Sequence, residues 1–188
     1  MALYPGSEKE TRIPVDVLDS AVLSIFQACG MNEAAARAVT RSLVDADTRD
    51  IHSHGVLRVP DYVKKLTEEG VDPKGEPRIV TDAAAALVVD GANNLGAVAM
   101  TFAMEKTIER ARDVNVAFAA VAGSNHAGTM ELYARMALEA GMIGLAGTNA
   151  LPTMAPWGGR DKIVGINPLA VAIPGGKMGD FVLDIAFG

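Results

Sequence analysis

Two rhythms of apolar residues run along this chain. Up to about residue 70 they recur every three or four positions, as on one face of a helix; beyond it they bunch into short runs between Gly, Pro and Asn. "IPVDVLDSAVLSIFQACG" (13–30) predicts an amphipathic helix with Leu18, Val22, Ile25 and Cys29 facing inward, Pro14 in its first turn and Gly30 as its stop. Asn32 suits the cap of a second helix over 33–50, whose inner face carries Ala36, Val39 and Leu43. A third helix is predicted over 56–70, ending at Gly70, with Pro60 in its first turn or at a kink.

"VDPKGEPR" (71–78) is rich in turn formers and marks a change of texture. After it, "ALVVDG" (86–91), "VAFAAVAG" (116–123), "MIGLAGTN" (142–149), "PLAVAIPG" (168–175) and "FVLDIA" (181–186) have the look of buried strands. Helical patterns over 93–114 and 129–141 separate some of them, and a long Gly/Pro-rich connection with Trp157 as a surface anchor precedes "PLAVAIPG". The expected architecture is α/β in the broad α+β sense: a helical unit over 1–76 and a sheet-containing unit over 77–188. The last strand-like run is followed by no closing helix, so a further C-terminal portion is expected.

Composition narrows the class. Hydrophobic residues make up 49% and charged residues 21%, which suits a packed globular chain and excludes disorder. The net charge of −6 and the lack of a Lys/Arg cluster argue against nucleic acid as a partner. One cysteine, Cys29, leaves no internal disulfide and fits a reducing cytoplasm. The N-terminal "MALYPGSEKETRIP" lacks the apolar core of a signal peptide, and no apolar run reaches the about 20 residues that span a bilayer.

Candidate chemistry gathers around the three histidines. No G-x-G-x-x-G follows a predicted strand, and no P-loop, G-x-S-x-G elbow, H-E-x-x-H or C-x-x-C is present. In "HSHGVLR" (52–58), His54 and Arg58 share one helical face if the helix begins near Gly55. An imidazole exchanges protons near neutral pH, a guanidinium grips a carboxylate through two hydrogen bonds, and Ser53 can set the imidazole's tautomer. A surface loop with a solvated arginine explains the same spacing equally well. In "GSNHAGTMELY" (123–133), His126 lies at a strand-to-helix turn where free N–H groups favour anions such as cofactor phosphates. The plainer reading there is a turn capped by Asn125 or Thr129, with His126 incidental. A zinc reading drawing on His52, His54 and His126 competes weakly, because neither motif offers an Asp or Glu as an obvious extra ligand or general base, and no metal is expected. Asp184, a carboxylate inside an apolar strand, requires either a structural partner or a ligand.

"HSHGVLRVPDYV", "GSNHAGTMELYA", "APWGGRDKIVGINPLAVAIP" and "VLDIA", in that order, closely resemble the type-2 malate/lactate dehydrogenase family over essentially the whole chain. That group of oxidoreductases includes ureidoglycolate dehydrogenase, sulfolactate dehydrogenase and piperideine-2-carboxylate reductase. The resemblance implies NAD or NADP as cofactor, a cytoplasmic homodimer, and a non-Rossmann cofactor fold built on a mixed, largely antiparallel sheet, here incomplete at its C-terminus. It makes His54 the proton donor in ketone reduction, Ser53 its relay partner and Arg58 the ligand of a small carboxylate substrate. His126, Ala127, Gly128, Thr129 and Met130 match a cofactor-binding segment, as do Asp184, Ile185 and Ala186. The histidine matching His126 is the catalytic base in some relatives, so the family leaves two candidates, of which His54 is preferred for its neighbours Ser53 and Arg58. Relatives often read G-T-N-P where this chain has "GINP", so Ile166 offers the substrate no hydroxyl. The implied activity is hydride transfer between a nicotinamide cofactor and a small 2-hydroxy or 2-oxo acid. The rival is a catalytically silent, truncated paralogue that binds nucleotide or dimerises.

Overall fold

A computed structural model describes residues 12–187; the reading of the N-terminal stretch falls mostly on residues 1–11, outside that range. Helix α1 spans Val15–Ala28, begins at Pro14 and ends where Gly30 takes φ +91°. Its inner face is largely the expected one, with Val22 buried and Leu18 and Cys29 packed on the core, but Phe26 is buried as well and Ile25 is 40% exposed. The Phe26 ring lies 6.4 Å from Tyr62, and so large a group claims the core side of the helix. Helix α2 (Glu33–Thr48) starts as expected, with the Asn32 side chain accepting the Ala35 N–H at 2.9 Å. Ala36, Val39 and Leu43 on its inner face are fully buried.

The third helix, α3, is shorter than expected (Val59–Thr67) and carries Pro60 in its first turn. Two 3₁₀ turns, His52–His54 and Val56–Arg58, stand before it, so His54 and Arg58 do not share a helical face. Asp47 forces this path. Its carboxylate accepts the Val56 N–H at 2.7 Å and bonds His52 Nδ1 at 2.7 Å. A Cβ at Gly55 would lie 2.1 Å from an Asp47 oxygen, so a larger residue would displace that carboxylate.

Strands β1 (Arg78–Asp82) and β2 (Ala86–Asp90) form an antiparallel hairpin, and β2 runs parallel to β3 (Phe118–Ala122) after crossing over through α4 (Gly96–Val114). Strand β1 was not expected, because its residues are mostly exposed and it emerges directly from the turn-rich "GEPR". Helix α5 (Glu131–Glu139) precedes the antiparallel strands β4 (Gly144–Gly147), β5 (Leu169–Ile173) and β6 (Phe181–Ile185), in the order β4-β5-β6. Three of the four strand pairings are antiparallel, in keeping with a mixed, largely antiparallel arrangement, but they fall in two sheets of three strands.

Helix α5 covers the face of the second sheet that carries Ala146, Ala170 and Ala172, whose small side chains allow close approach. Leu145, Phe181, Leu183 and Ile185 lie on the opposite, exposed face. Helix α4 joins two cores. Its first turn, with Ala97 and Val98, packs with Val22, Phe26, Leu43 and Tyr62, and its later Met100, Met104 and Ile108 pack against Met130, Tyr133 and Ala170. Ion pairs bind α2 to α5: Arg135 reaches Asp45 at 2.9 Å, and Arg49 reaches Asp45 at 3.1 Å and Glu131 at 3.5 Å. In the long connection over 148–168 only a Met154–Val164 bridge forms, and Trp157 is fully exposed rather than an anchor. Among the described residues, no helix is long and apolar enough to cross a membrane.

Candidate active site

The α2–α5 ion pairs bring the turn that follows α2 against the loop that leads into α5, and this meeting places two distant histidines together. The rings of His54 and His126 stack with centroids 5.8 Å apart and planes at 25°. The Ser53 hydroxyl lies 2.9 Å from His54 Nδ1, so the expected partnership of these two is present. His126 Nδ1 meets the Tyr62 hydroxyl at 2.6 Å. Both imidazoles thus have Nδ1 engaged by a hydroxyl, which leaves each Nε2 for a ligand.

His126 is anchored through its backbone from the start of α4. The Gly96 N–H donates to the His126 carbonyl at 3.0 Å, and a Cβ at Gly96 would lie 2.2 Å from the Asn125 carbonyl oxygen. The Asn125 side-chain amide donates to the Asn94 carbonyl at 3.0 Å. Asn94 is itself fully buried, donating to the Gly75 carbonyl at 2.8 Å and accepting the Leu95 N–H at 2.7 Å. Asn125 therefore fixes the loop; it does not cap α5.

Arg58 curls back towards Ser53, whose carbonyl accepts from Nε at 2.7 Å, while Nη1 lies 3.3 Å from Asp61. The guanidinium reaches the two rings electrostatically. Desolvation holds the His54 imidazole below its ordinary pKa of 6.5, the Arg58 charge adds to this, and Asp184 partly offsets it. His126 is pushed down to about 4, chiefly by desolvation, then by the charges of His54, Arg58 and Lys65, with Asp61 opposing. Burial keeps the Tyr62 phenol protonated far above neutrality.

The two expected cofactor segments also meet, as a joint. Asp184 Oδ2 accepts the N–H groups of Met130 and Glu131, both at 2.9 Å, and so caps α5 from β6. That contact corrects the expected local cap: neither Asn125 nor Thr129 fills it. It also bears on a nicotinamide nucleotide. The two amides that could cradle a phosphate are taken by a carboxylate, and Thr129 Oγ1 is buried without a partner. What remains open beside the joint is the exposed edge of His126 and the exposed Ile185 and Ala186. These residues fit the reacting end of such a cofactor and not its phosphates.

Gly128 takes φ +77° with its Cα against Ser42, where a Cβ would sit 2.6 Å from Oγ; Ala127 lends its carbonyl to the buried Tyr133 hydroxyl. Ile166 lies in the long connection, 37% exposed, with its carbonyl accepting the Phe187 N–H at 2.8 Å. Among the described residues, no hydrogen bond joins it to either stacked histidine. His52 bonds Asp47 while His54 and His126 lie face to face, so the three imidazoles do not converge as zinc ligands would. Sequence reasoning missed Asp47 and Tyr62. The only available signals were an acid five residues before His52 and a tyrosine four after Arg58.

A helical unit joined to two three-stranded sheets, with a histidine pair where they meet and no Gly-rich dinucleotide loop among the described residues, defines the class of scaffold. Residues 13–188 match the family model described as malate/L-lactate dehydrogenase, and the chain belongs to that family. It is 36% identical to the L-sulfolactate dehydrogenase of Methanocaldococcus jannaschii over 99% of this chain and 51% of that protein. It is 39% identical to a malate dehydrogenase of Pyrococcus abyssi over 95% of this chain and 49% of that protein. The malate dehydrogenase structure from Pyrococcus horikoshii superposes with a TM-score of 0.90 at 37% identity, covering 94% of this chain and 50% of that one. The chain therefore spans about half the length of the relatives it matches.

Proposed function

We propose that this chain forms the proton-transferring half of a nicotinamide-dependent oxidoreductase that interconverts a small 2-hydroxy acid and its 2-oxo acid, as a cytoplasmic homodimer. Family membership supports the reaction class, and the observation that carries the site is the stacked His54–His126 pair beside Arg58. In this reading the 1–76 unit supplies Ser53, His54 and Arg58, and the 77–188 unit supplies His126 and the Asp184 joint. The relatives' names, sulfolactate and malate dehydrogenase, support a substrate with a carboxylate next to the reacting carbon.

The 126–130 and 184–186 segments would hold the reacting end of NADH or NADPH, which would supply a hydride for the carbonyl carbon. Arg58 pairs with the substrate carboxylate and turns the carbonyl towards the imidazoles. As the C–O π bond opens, His54 Nε2 gives its proton to the oxygen, and the Ser53 hydroxyl supports Nδ1 in both protonation states. His54 returns to the cycle by taking a proton from water. Ile166 contributes apolar surface to substrate selection where relatives often place a threonine.

The test is loss of reduced-nicotinamide absorbance with NADH and with NADPH over a panel of oxo acids, sulfonated and dicarboxylic ones included. Turnover of at least one acid is expected. Cofactor binding with no turnover across the panel would overturn the proposal and leave a silent nucleotide-binding relative.

A further inference from the structure

The two stacked imidazoles share a surface but differ in what holds them. His54 Nδ1 faces the hydroxyl of an exposed serine at 2.9 Å. That hydroxyl rotates freely, donating to a neutral ring and accepting from a protonated one. His126 Nδ1 faces the hydroxyl of Tyr62 at 2.6 Å, and Tyr62 is 3% exposed, packed on Phe26 inside the first core. Among the described residues, this phenol oxygen hydrogen-bonds to His126. A phenol hydrogen aimed at Nδ1 satisfies both groups. A proton on Nδ1 would make the buried phenol oxygen the acceptor and deprive its own hydrogen of this partner.

We propose that Tyr62 is a positioning residue that holds His126 as the Nε2–H tautomer, so that His126 is a fixed hydrogen-bond donor to the substrate's reacting oxygen while His54 alone carries the transferred proton. The assignment deepens the function proposed above and rests on it for the identity of the acceptor. It separates two histidines that sequence alone leaves as rivals for one role. The charged surroundings agree. His54 and Arg58 face His126 from the 3₁₀ turns, Lys65 and Asp61 face it from α3, and the cations among them outweigh the single acid. Asp184, reaching over from β6, favours a charge on His54. A neutral donor that does not exchange its proton stabilises a developing alkoxide throughout the reaction, and the neighbouring ring can then protonate it.

The decisive experiment is imidazole ¹⁵N–¹H correlation spectroscopy on the intact chain from about pH 8 to about pH 5, with His126→Gln and His54→Gln to assign the signals. His126 should show one neutral Nε2–H tautomer throughout, while His54 titrates. In Tyr62→Phe, which keeps the ring in the core, His126 should become a mixture of tautomers. A wild-type His126 that carries its proton on Nδ1 overturns the proposal without need of any variant. An unchanged His126 in folded Tyr62→Phe also overturns it. These readouts need no substrate, so failure of oxo-acid turnover refutes the proposed reaction and not the tautomer. Where turnover is present, Tyr62→Phe should lower kcat about tenfold or more and leave the pH midpoint assigned to His54 in place. A midpoint that moves with Tyr62 contradicts the division of labour.

Discussion

Asp184 gives the sharpest test of how the site is assembled. Its Oδ2 accepts two backbone N–H groups at 2.9 Å, from the residue before α5 and from the first residue of that helix. Replacing it by alanine removes both bonds and leaves two partly buried donors at a positive helix end. A hydrogen bond to a charged group contributes about 1.5–3 kcal/mol. Two that share one oxygen contribute less than twice that, so about 2–4 kcal/mol is expected for Asp184→Ala. Asparagine keeps an acceptor oxygen in the same place and loses only the interaction of charge with helix dipole, about 0.3–1 kcal/mol. For a chain of this size each kcal/mol moves Tm by about 2–4 °C. The alanine variant should therefore melt about 4–16 °C below wild type by calorimetry, and the asparagine variant within about 4 °C. An alanine variant that melts with wild type, or an asparagine variant as damaged as alanine, would show that the cap contributes nothing and that the joint is held by something else.

Three further outcomes follow from the same geometry. His54→Ala should lower turnover by about 10²–10⁴-fold while cofactor affinity, followed by nicotinamide fluorescence, stays close to wild type; an active variant removes His54 from the reaction. Gly96→Ala places a Cβ 2.2 Å from the Asn125 carbonyl oxygen, and denaturant titration should register a loss of more than about 1–3 kcal/mol because backbone must shift. His126, at about 4 in the folded chain against 6.5 unfolded, takes up a proton more readily when unfolded, so stability should fall as pH drops from 6.5 towards 4. Denaturant midpoints across that window should decline less in His126→Gln, and equal slopes in the two proteins would refute the assignment.

What the sequence made legible was what neighbours in the chain decide among themselves. The Asn32 cap acts across three residues, and the buried face of α2 repeats at helical spacing, so both were readable. Ser53 and His54 are adjacent, and their hydrogen bond needed only a local turn. On α1, Leu18, Val22 and Cys29 face the core as their spacing says, but Phe26 in place of Ile25 was not foreseen because it packs against Tyr62 from another helix, which periodicity does not see. Strand β1 escaped because a mostly exposed edge strand carries little apolar signal. The shared helical face expected for His54 and Arg58 gave way to 3₁₀ turns because Asp47, one helix earlier, captures the Val56 N–H. Tyr62 with His126 and Asp184 with Met130 lie 64 and 54 positions apart; the apolar strand around Asp184 announced that a partner was needed, but neither local pattern says which residue it is.

The reach of Asp184 has a consequence for synthesis. A chain leaving the ribosome from its first residue presents the opening of α5 long before β6 exists, because the carboxylate that settles it is made 54 residues later than Met130. Until then the helix start must borrow water, and the histidine just ahead of it has no settled floor. The corner that holds His126 therefore closes late in translation, and a nascent chain stalled ahead of β6 should be open to proteolysis there even after its first three helices have packed.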